Sequence, residues 1–152
     1  MASSAGLIGF GTSASDVFIS PGPVINLTGL PATLINFAFS APRDGIIRSI
    51  AGYFSNVSPL VLTGVTTLHV QIWQAVVPSM TPNLFVPTTA EVVIDISAAI
   101  SSLGGNANGI TTGLNVPVVQ ENRYVLVTMV TSTSLASTVI INGYISAGIT
   151  IE

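Results

Sequence analysis

Thr138-Val-Ile-Ile-Asn-Gly-Tyr-Ile-Ser-Ala-Gly-Ile-Thr-Ile151 is written on a two-residue beat. Its odd positions, Val139, Ile141, Gly143, Ile145, Ala147, Ile149 and Ile151, are apolar or small. Its even positions, Thr138, Ile140, Asn142, Tyr144, Ser146, Gly148 and Thr150, are mostly polar or amphipathic. Successive side chains of an extended chain point to opposite faces, so this spacing predicts a long β-strand with one face in a core. Two glycines, Asn142 and the β-branched residues disfavour a helix. The face with Asn142 and Tyr144 suits contact with another surface better than open water.

The same period recurs upstream. Gly6-Leu-Ile-Gly-Phe-Gly11 reads as a short strand, followed by a polar turn over Thr12–Asp16 and a break at Pro21-Gly-Pro23. Leu34–Ser40 is expected as a strand with Ile35, Phe37 and Phe39 on one face. Ala41-Pro-Arg-Asp-Gly45 is a turn, because Pro presets φ and Asp-Gly favours reversal. Ile46–Ser55 is the next strand, placing Tyr53 with Ile47, Ser49, Ala51 and Ser55. Over Thr66–Val77, Leu68, Val70, Ile72 and Val76 point inward, with Thr67, His69, Gln71 and Trp73 opposite. Pro78–Pro87 reads as a loop, and Glu91–Ser97 as a strand with Val92, Ile94 and Ile96 inward. Ala98–Leu103 allows one short turn, Gly104–Gly109 reads as a flexible turn, and Gly113–Val119 and Arg123–Val130 as strands. Many short strands punctuated by turns predict an all-β sandwich or barrel. One echo stands out: Gly52-Tyr-Phe-Ser55 and Gly143-Tyr-Ile-Ser146 place the same residues on two strands, as if these had equivalent roles in one sheet. Each glycine would admit a neighbouring backbone or ring.

Composition sets the function class. Charged residues are 6% of the 152, where soluble domains carry about 25%. A compact monomer of this mass exposes roughly 7,000 Å², which so few charges cannot cover. A subunit that hides surface in an oligomer is the reading. No apolar run is long enough for a membrane helix, and scattered aromatics do not form the girdles of a membrane barrel. Three arginines and a net charge of −3 make no basic patch, so no nucleic-acid partner is expected. Cysteine is absent, which removes disulfides, thiol nucleophiles and cysteine metal sites. Met1-Ala-Ser-Ser has no signal-peptide pattern; residues 1–5 read as leading or linker residues and 6–152 as one domain.

Titratable groups are few and dispersed. His69 is the single histidine, and as a general base it would need an orienting carboxylate and a nucleophile that no spacing supplies. Gly9-Phe-Gly-Thr-Ser13 is not a nucleophile elbow, and no acidic pair has calcium-loop spacing. No enzyme, no metal and no cofactor are therefore expected. A surface for a ligand would want an exposed aromatic beside polar groups, and Trp73 with His69 and Gln71 is the candidate. Asn26-Leu-Thr28 and Asn56-Val-Ser58 match the N-glycosylation pattern.

Leu7-Ile-Gly-Phe-Gly11, Phe39-Ser-Ala-Pro-Arg-Asp-Gly-Ile-Ile-Arg-Ser-Ile-Ala-Gly-Tyr-Phe-Ser55 and Gly143-Tyr-Ile-Ser-Ala-Gly-Ile-Thr-Ile151 together resemble the C-terminal domain of collagen-like exosporium glycoproteins of the BclA/BclB type. The resemblance runs in the same order over most of the chain, while the turns between Pro78 and Asn115 match nothing in it. It implies a homotrimeric jelly-roll β-sandwich, like tumour necrosis factor and complement heads, capping a stalk of Gly-x-y repeats on the spore surface. It further implies that the first and last strands share one sheet whose outer face meets two neighbours. Phe10, Tyr53, Asn142, Tyr144 and Ser146 are then expected at the subunit interface. The implied partners are two further copies of the chain and other spore-surface or fibre proteins. The rival expectation is an adhesin or phage-fibre tip of the same fold that recognises a glycan or receptor.

Overall fold

The computed structural model describes residues 4–8, 13–31, 34, 37–77, 81–133 and 140–152. Runs of alternating β-branched and polar residues extend the chain into the strands β1 (Ser4–Ile8), β2 (Ser13–Phe18), β3 (Ile25–Asn26), β4 (Phe39–Ser40), β5 (Gly45–Asn56), β6 (Thr66–Val77), β7 (Thr81–Asp95), β8 (Asn106–Thr111), β9 (Val116–Val118), β10 (Arg123–Ser132) and β11 (Gly143–Ile151). A 3₁₀ turn at Ala99–Ser101 falls inside the segment expected to turn. Among the described residues no helix is long and apolar enough to cross a membrane.

Two antiparallel sheets face each other. The larger runs β2-β1-β10-β6-β7-β3, with β4 on β10, and the smaller runs β11-β5-β8, with β9 on β5. The chain changes sheet between β4 and β5, β5 and β6, β7 and β8, β9 and β10, and β10 and β11, which is the connectivity of a jelly-roll β-sandwich. Between the sheets lie Ile47, Ile50 and Phe54 of β5, Leu68, Val70 and Ile72 of β6, Val92 and Ile94 of β7, and Val116 and Val118 of β9, all buried. The odd residues of β11, Ile145, Ala147, Ile149 and Ile151, close this core from the edge. Its even residues, Tyr144, Ser146, Gly148 and Thr150, are exposed. The alternation expected of the last strand is therefore present, over a shorter span. The strand starts at Gly143, and Thr138 and Val139 lie outside the described residues.

Gly52 and Gly109 pair across β5 and β8, and they set how closely the sheets approach. A Cβ on Gly52 would lie 2.9 Å from Ile94 Cδ1, and one on Gly109 would lie 3.1 Å from Ile94 Cγ1. Gly52→Val forces methyls into a filled layer, an overpacking that costs about 1–3 kcal/mol. The melting midpoint is expected to fall by roughly 2–10 °C. An unchanged midpoint in calorimetry would show that the two sheets do not press on this position. Gly143 of β11 is tight for a different reason, against its neighbour in the same sheet, where a Cβ would meet Ser55 O at 2.5 Å and Phe54 Cε2 at 2.6 Å.

The larger sheet carries apolar residues on its far side as well. Ile25, Leu27 and Phe37 cover Trp73, Ala75, Phe85, Val125 and Val127 there, with Ile19, Leu34 and Ala38 at the margin. This second cluster overturns several sequence expectations. Leu34–Ser40 is not one strand: Leu34 N bonds Pro31 O at 2.8 Å and Phe37 N bonds Leu34 O at 3.3 Å, so the segment turns, and only Phe39–Ser40 pairs with β10. Ile35 lies outside the described residues. Trp73 is buried at 1% exposure, and Val76 is half exposed. The apolar cover sits on Trp73's side of β6, whose facing changes along its length.

Other differences have local causes. Thr81–Pro87 belongs to β7 despite Pro82 and Pro87; the pairing with β6 shifts register between Gln71 and Trp73, which is opposite Pro87, and again between Ala75 and Val77. Prolines are tolerated at such bulges. Asn106–Gly109 is strand and not flexible turn, because its Ala107 and Gly109 lie against the core while Asn106 and Asn108 face out. Ser13–Asp16 forms the first part of β2 and not a turn. A bulge between Thr150 and Ile151, opposite Ser49 and Ile47, turns Ile47 into the core and off the face of Tyr53. The first and last strands lie in different sheets, β1 beside β10 and β11 beside β5, so they do not share one. Pro21-Gly-Pro23 does break the chain, in a tight turn closed by Ser20 and Val24 with Gly22 at φ 95°.

Candidate functional site

The outer face of the smaller sheet is built by the Gly-Tyr-x-Ser echo. β5 and β11 run antiparallel with Phe54 opposite Ile145, which places Tyr53 opposite Ser146 and Tyr144 opposite Ser55. The two motifs are thus related by a local two-fold through the pair, each tyrosine facing the other strand's serine. Tyr53 and Tyr144 are diagonal neighbours, about 7–8 Å apart at the backbone and within reach of one another's rings. They are 43% and 74% exposed. Asn108 and Ile110 of β8 extend the face past Tyr53 and Ala51, and Ile110 is 66% exposed. At the other end Ser49 Oγ donates to Thr150 Oγ1 at 2.9 Å.

No charged residue occurs from Ser49 to Asn56, from Asn106 to Thr111 or from Asn142 to Ile151. The nearest charges, Arg48 and Glu152, pair with each other at 3.0 Å at the sheet's end, and Arg48 also donates to Asn115 Oδ1 at 3.1 Å. An uncharged face with two amphipathic rings, a bare isoleucine and a rim of hydroxyls and amides has the composition of an interface centre. Of the residues expected at an interface, Tyr53, Tyr144 and Ser146 share this face. Asn142 is exposed just before β11, and its carbonyl accepts from Val57 N at 3.0 Å. Phe10 lies outside the described residues. Asn108 and Ile110 were not legible, because Gly104–Gly109 reads as a turn; the alternation of Asn106, Asn108 and Ile110 is the signal that could have found them.

The outer face of the larger sheet carries a polar ladder beside the second apolar cluster. His69 Nδ1 lies 2.7 Å from Glu91 Oε1, and Nε2 lies 3.2 Å from both Thr67 Oγ1 and Thr131 Oγ1. The two hydroxyls bond each other at 2.7 Å. Gln71 Nε2 donates to Thr88 O at 2.7 Å, and Trp73 Nε1 donates to Gln71 Oε1 at 2.9 Å. The fold thus brings His69 the carboxylate and hydroxyls that no sequence spacing showed. With Nδ1 donating to Glu91, Nε2 can accept a threonine proton. A threonine attacking an acyl carbon would also need donors for the developing oxyanion. The backbone N–H groups of the central strand β6 are spent in ladders to β7 and β10. The ladder ties three strands together, and Trp73, indole bonded and ring buried, offers no exposed platform.

Among the described residues no three of His, Asp and Glu gather where they could hold a metal. Asp95, at the end of β7, accepts from Ser97, whose side chain and backbone bonds hold its carboxyl below the usual carboxylate range.

No family model matches the chain, and no solved structure matches it. The chain is 32% identical over 144 residues to collagen-like protein 1 of Acanthamoeba polyphaga mimivirus. The match takes in 92% of the chain and 15% of that protein, so the chain spans a small part of its relative's length. Over nearly its whole length, then, the chain is similar to one segment of a collagen-like protein.

Proposed function

We propose that this chain is a non-enzymatic structural head that trimerises and caps a collagen-like fibre. The observation that carries the reading is the likeness, along 92% of the chain, to a segment of a collagen-like protein. The uncharged tyrosine face supports the assembly: it is the kind of surface that two further copies would cover, and 6% charge is too little for a free monomer of this size. The placing of the fibre on a bacterial spore surface rests on the resemblance to exosporium glycoproteins, while the relative above is viral. Other fibre or spore-surface proteins are further partners in this reading.

Light scattering on the purified chain tests the assembly. The expected mass is three times 15.6 kDa, with an interface of about 2,000 Å² or more; a monomer at micromolar concentration would sink it. Tyr144→Ala is expected to weaken the trimer by about 2 kcal/mol or more if the ring is a central anchor, and Tyr144→Asp to weaken it further. If both variants keep wild-type size and melting midpoint on dilution to nanomolar, the tyrosine face is open to solvent. The exposure of Tyr53 and Tyr144 beside Ser55, Ser146 and Asn108 favours a second reading, a glycan-binding module on the same face. Glycan-array binding by a monomer, lost in Tyr144→Ala, would establish it in place of the first.

A further inference from the structure

The two N-glycosylation patterns differ in what the fold leaves of them. Asn56 ends β5 at 2% exposure, and its Nδ2 donates to Ile100 O at 3.1 Å and Ser102 O at 2.9 Å. Its backbone is used too: Asn56 N donates to Gly105 O at 2.8 Å, and Gly104 N donates to Asn56 O at 3.0 Å. A glycan on Nδ2 would replace a hydrogen already in a bond and would put a sugar where there is no room.

Asn26 is the opposite case. It is exposed in β3, at the edge of the larger sheet, and its neighbours Ile25 and Leu27 are fully buried and anchor it on both sides. Its Oδ1 accepts from Thr28 N at 2.8 Å, closing an Asx turn that leaves Nδ2 for reaction and keeps the pattern's threonine beside it. An edge strand is also where added bulk is useful, because it blocks pairing with a foreign strand.

We propose that Asn26 is an acceptor site for an N-linked oligosaccharide in the folded chain and that Asn56 is not. The donor class is an oligosaccharide on a polyprenyl pyrophosphate, transferred by an oligosaccharyltransferase. Asn26 Nδ2 forms a bond to the sugar C1, the C1–O bond to pyrophosphate breaks, polyprenyl pyrophosphate leaves, and Nδ2 gives up one proton. This assignment is independent of the fibre reading.

The test incubates the purified, folded 152-residue chain with an oligosaccharyltransferase and its lipid-linked oligosaccharide, and reads intact mass. A short peptide carrying residues 24–30 verifies that the enzyme is active. One oligosaccharide per chain is expected, mapped to residue 26 by an amidase that leaves aspartate there. Thr28→Ala should abolish the addition. Ser58→Ala, which removes the second pattern without touching Asn56, should change nothing. The proposal is overturned if the folded chain stays unmodified while the peptide is glycosylated. It is equally overturned if the addition survives Thr28→Ala or disappears with Ser58→Ala.

Discussion

A chain ending at Ser137 is expected to show no cooperative melt. The truncation removes β11 and with it Ile145, Ala147, Ile149 and Ile151, which close one edge of the core, together with Ile141 beside them. Full burial of an isoleucine is worth about 1.5–3 kcal/mol, and these are partly buried, so each contributes roughly half of that. The backbone loss adds to it. β11 pairs with β5 from Gly143↔Asn56 to Ile151↔Ile47, and Ile46 and Glu152 exchange both bonds, at 2.7 and 2.9 Å. Each such bond is worth about 1 kcal/mol net. Truncation also uncovers Ile47, Ile50 and Phe54 of β5. Against a total stability of about 5–15 kcal/mol the loss is decisive. Near-ultraviolet circular dichroism and calorimetry read the outcome, and a sharp transition in the truncated chain would show β11 to be peripheral.

Trp73→Ala is expected to be the most damaging single substitution on the far side of the larger sheet. The indole is 1% exposed among Ile25, Leu27, Phe37, Phe85, Val125 and Val127, and its Nε1 bonds Gln71 Oε1. Aromatic-to-alanine changes at such sites cost about 3–5 kcal/mol, which at this chain length lowers the midpoint by roughly 6–20 °C. Ile25, Leu27 and Phe37 pack in the same cluster as this indole, so the chain around them should loosen with it, and limited proteolysis there would report that. A loss of glycan or receptor binding at unchanged stability is the result that would contradict this account. It would return Trp73 to the ligand-surface role its place in the sequence suggests.

The strand β11 was legible because its apolar residues recur every second position, and β5 and β6 were legible in the same way up to the register shifts at Ile47 and at Trp73; β10 was legible as a continuous apolar run rich in β-branched residues. The echo of Gly-Tyr-x-Ser was legible too, but its glycines only in part: Gly143 meets a neighbouring backbone and the Phe54 ring as expected, whereas Gly52 meets aliphatic side chains of the opposite sheet. The site was partly so. Counting placed Tyr144 and Ser146 on one face of the last strand and gave Tyr53 its face on β5, but the pairing of β11 with β5 joined the two; the contribution of β8 was hidden by its glycines and asparagines, which in isolation signal a turn. Pairing with β5, with Gly109 set against Ile94 and Val92, makes the segment a strand.

By itself the sequence determined an all-β chain, the two faces of its last strand, and a composition poor in charge. Those follow from local spacing and composition, which need no knowledge of what packs on what. The tertiary structure decided the rest: that β1 and β11 lie in different sheets, that Trp73 is core and not ligand surface, and that His69 has Glu91 for a partner. It also decided which of two asparagine patterns remains open. Each of these depends on residues tens of positions apart meeting across a sheet or on a bulge of one residue. A period of two is silent on the first, and the second reverses what the period says from that point on.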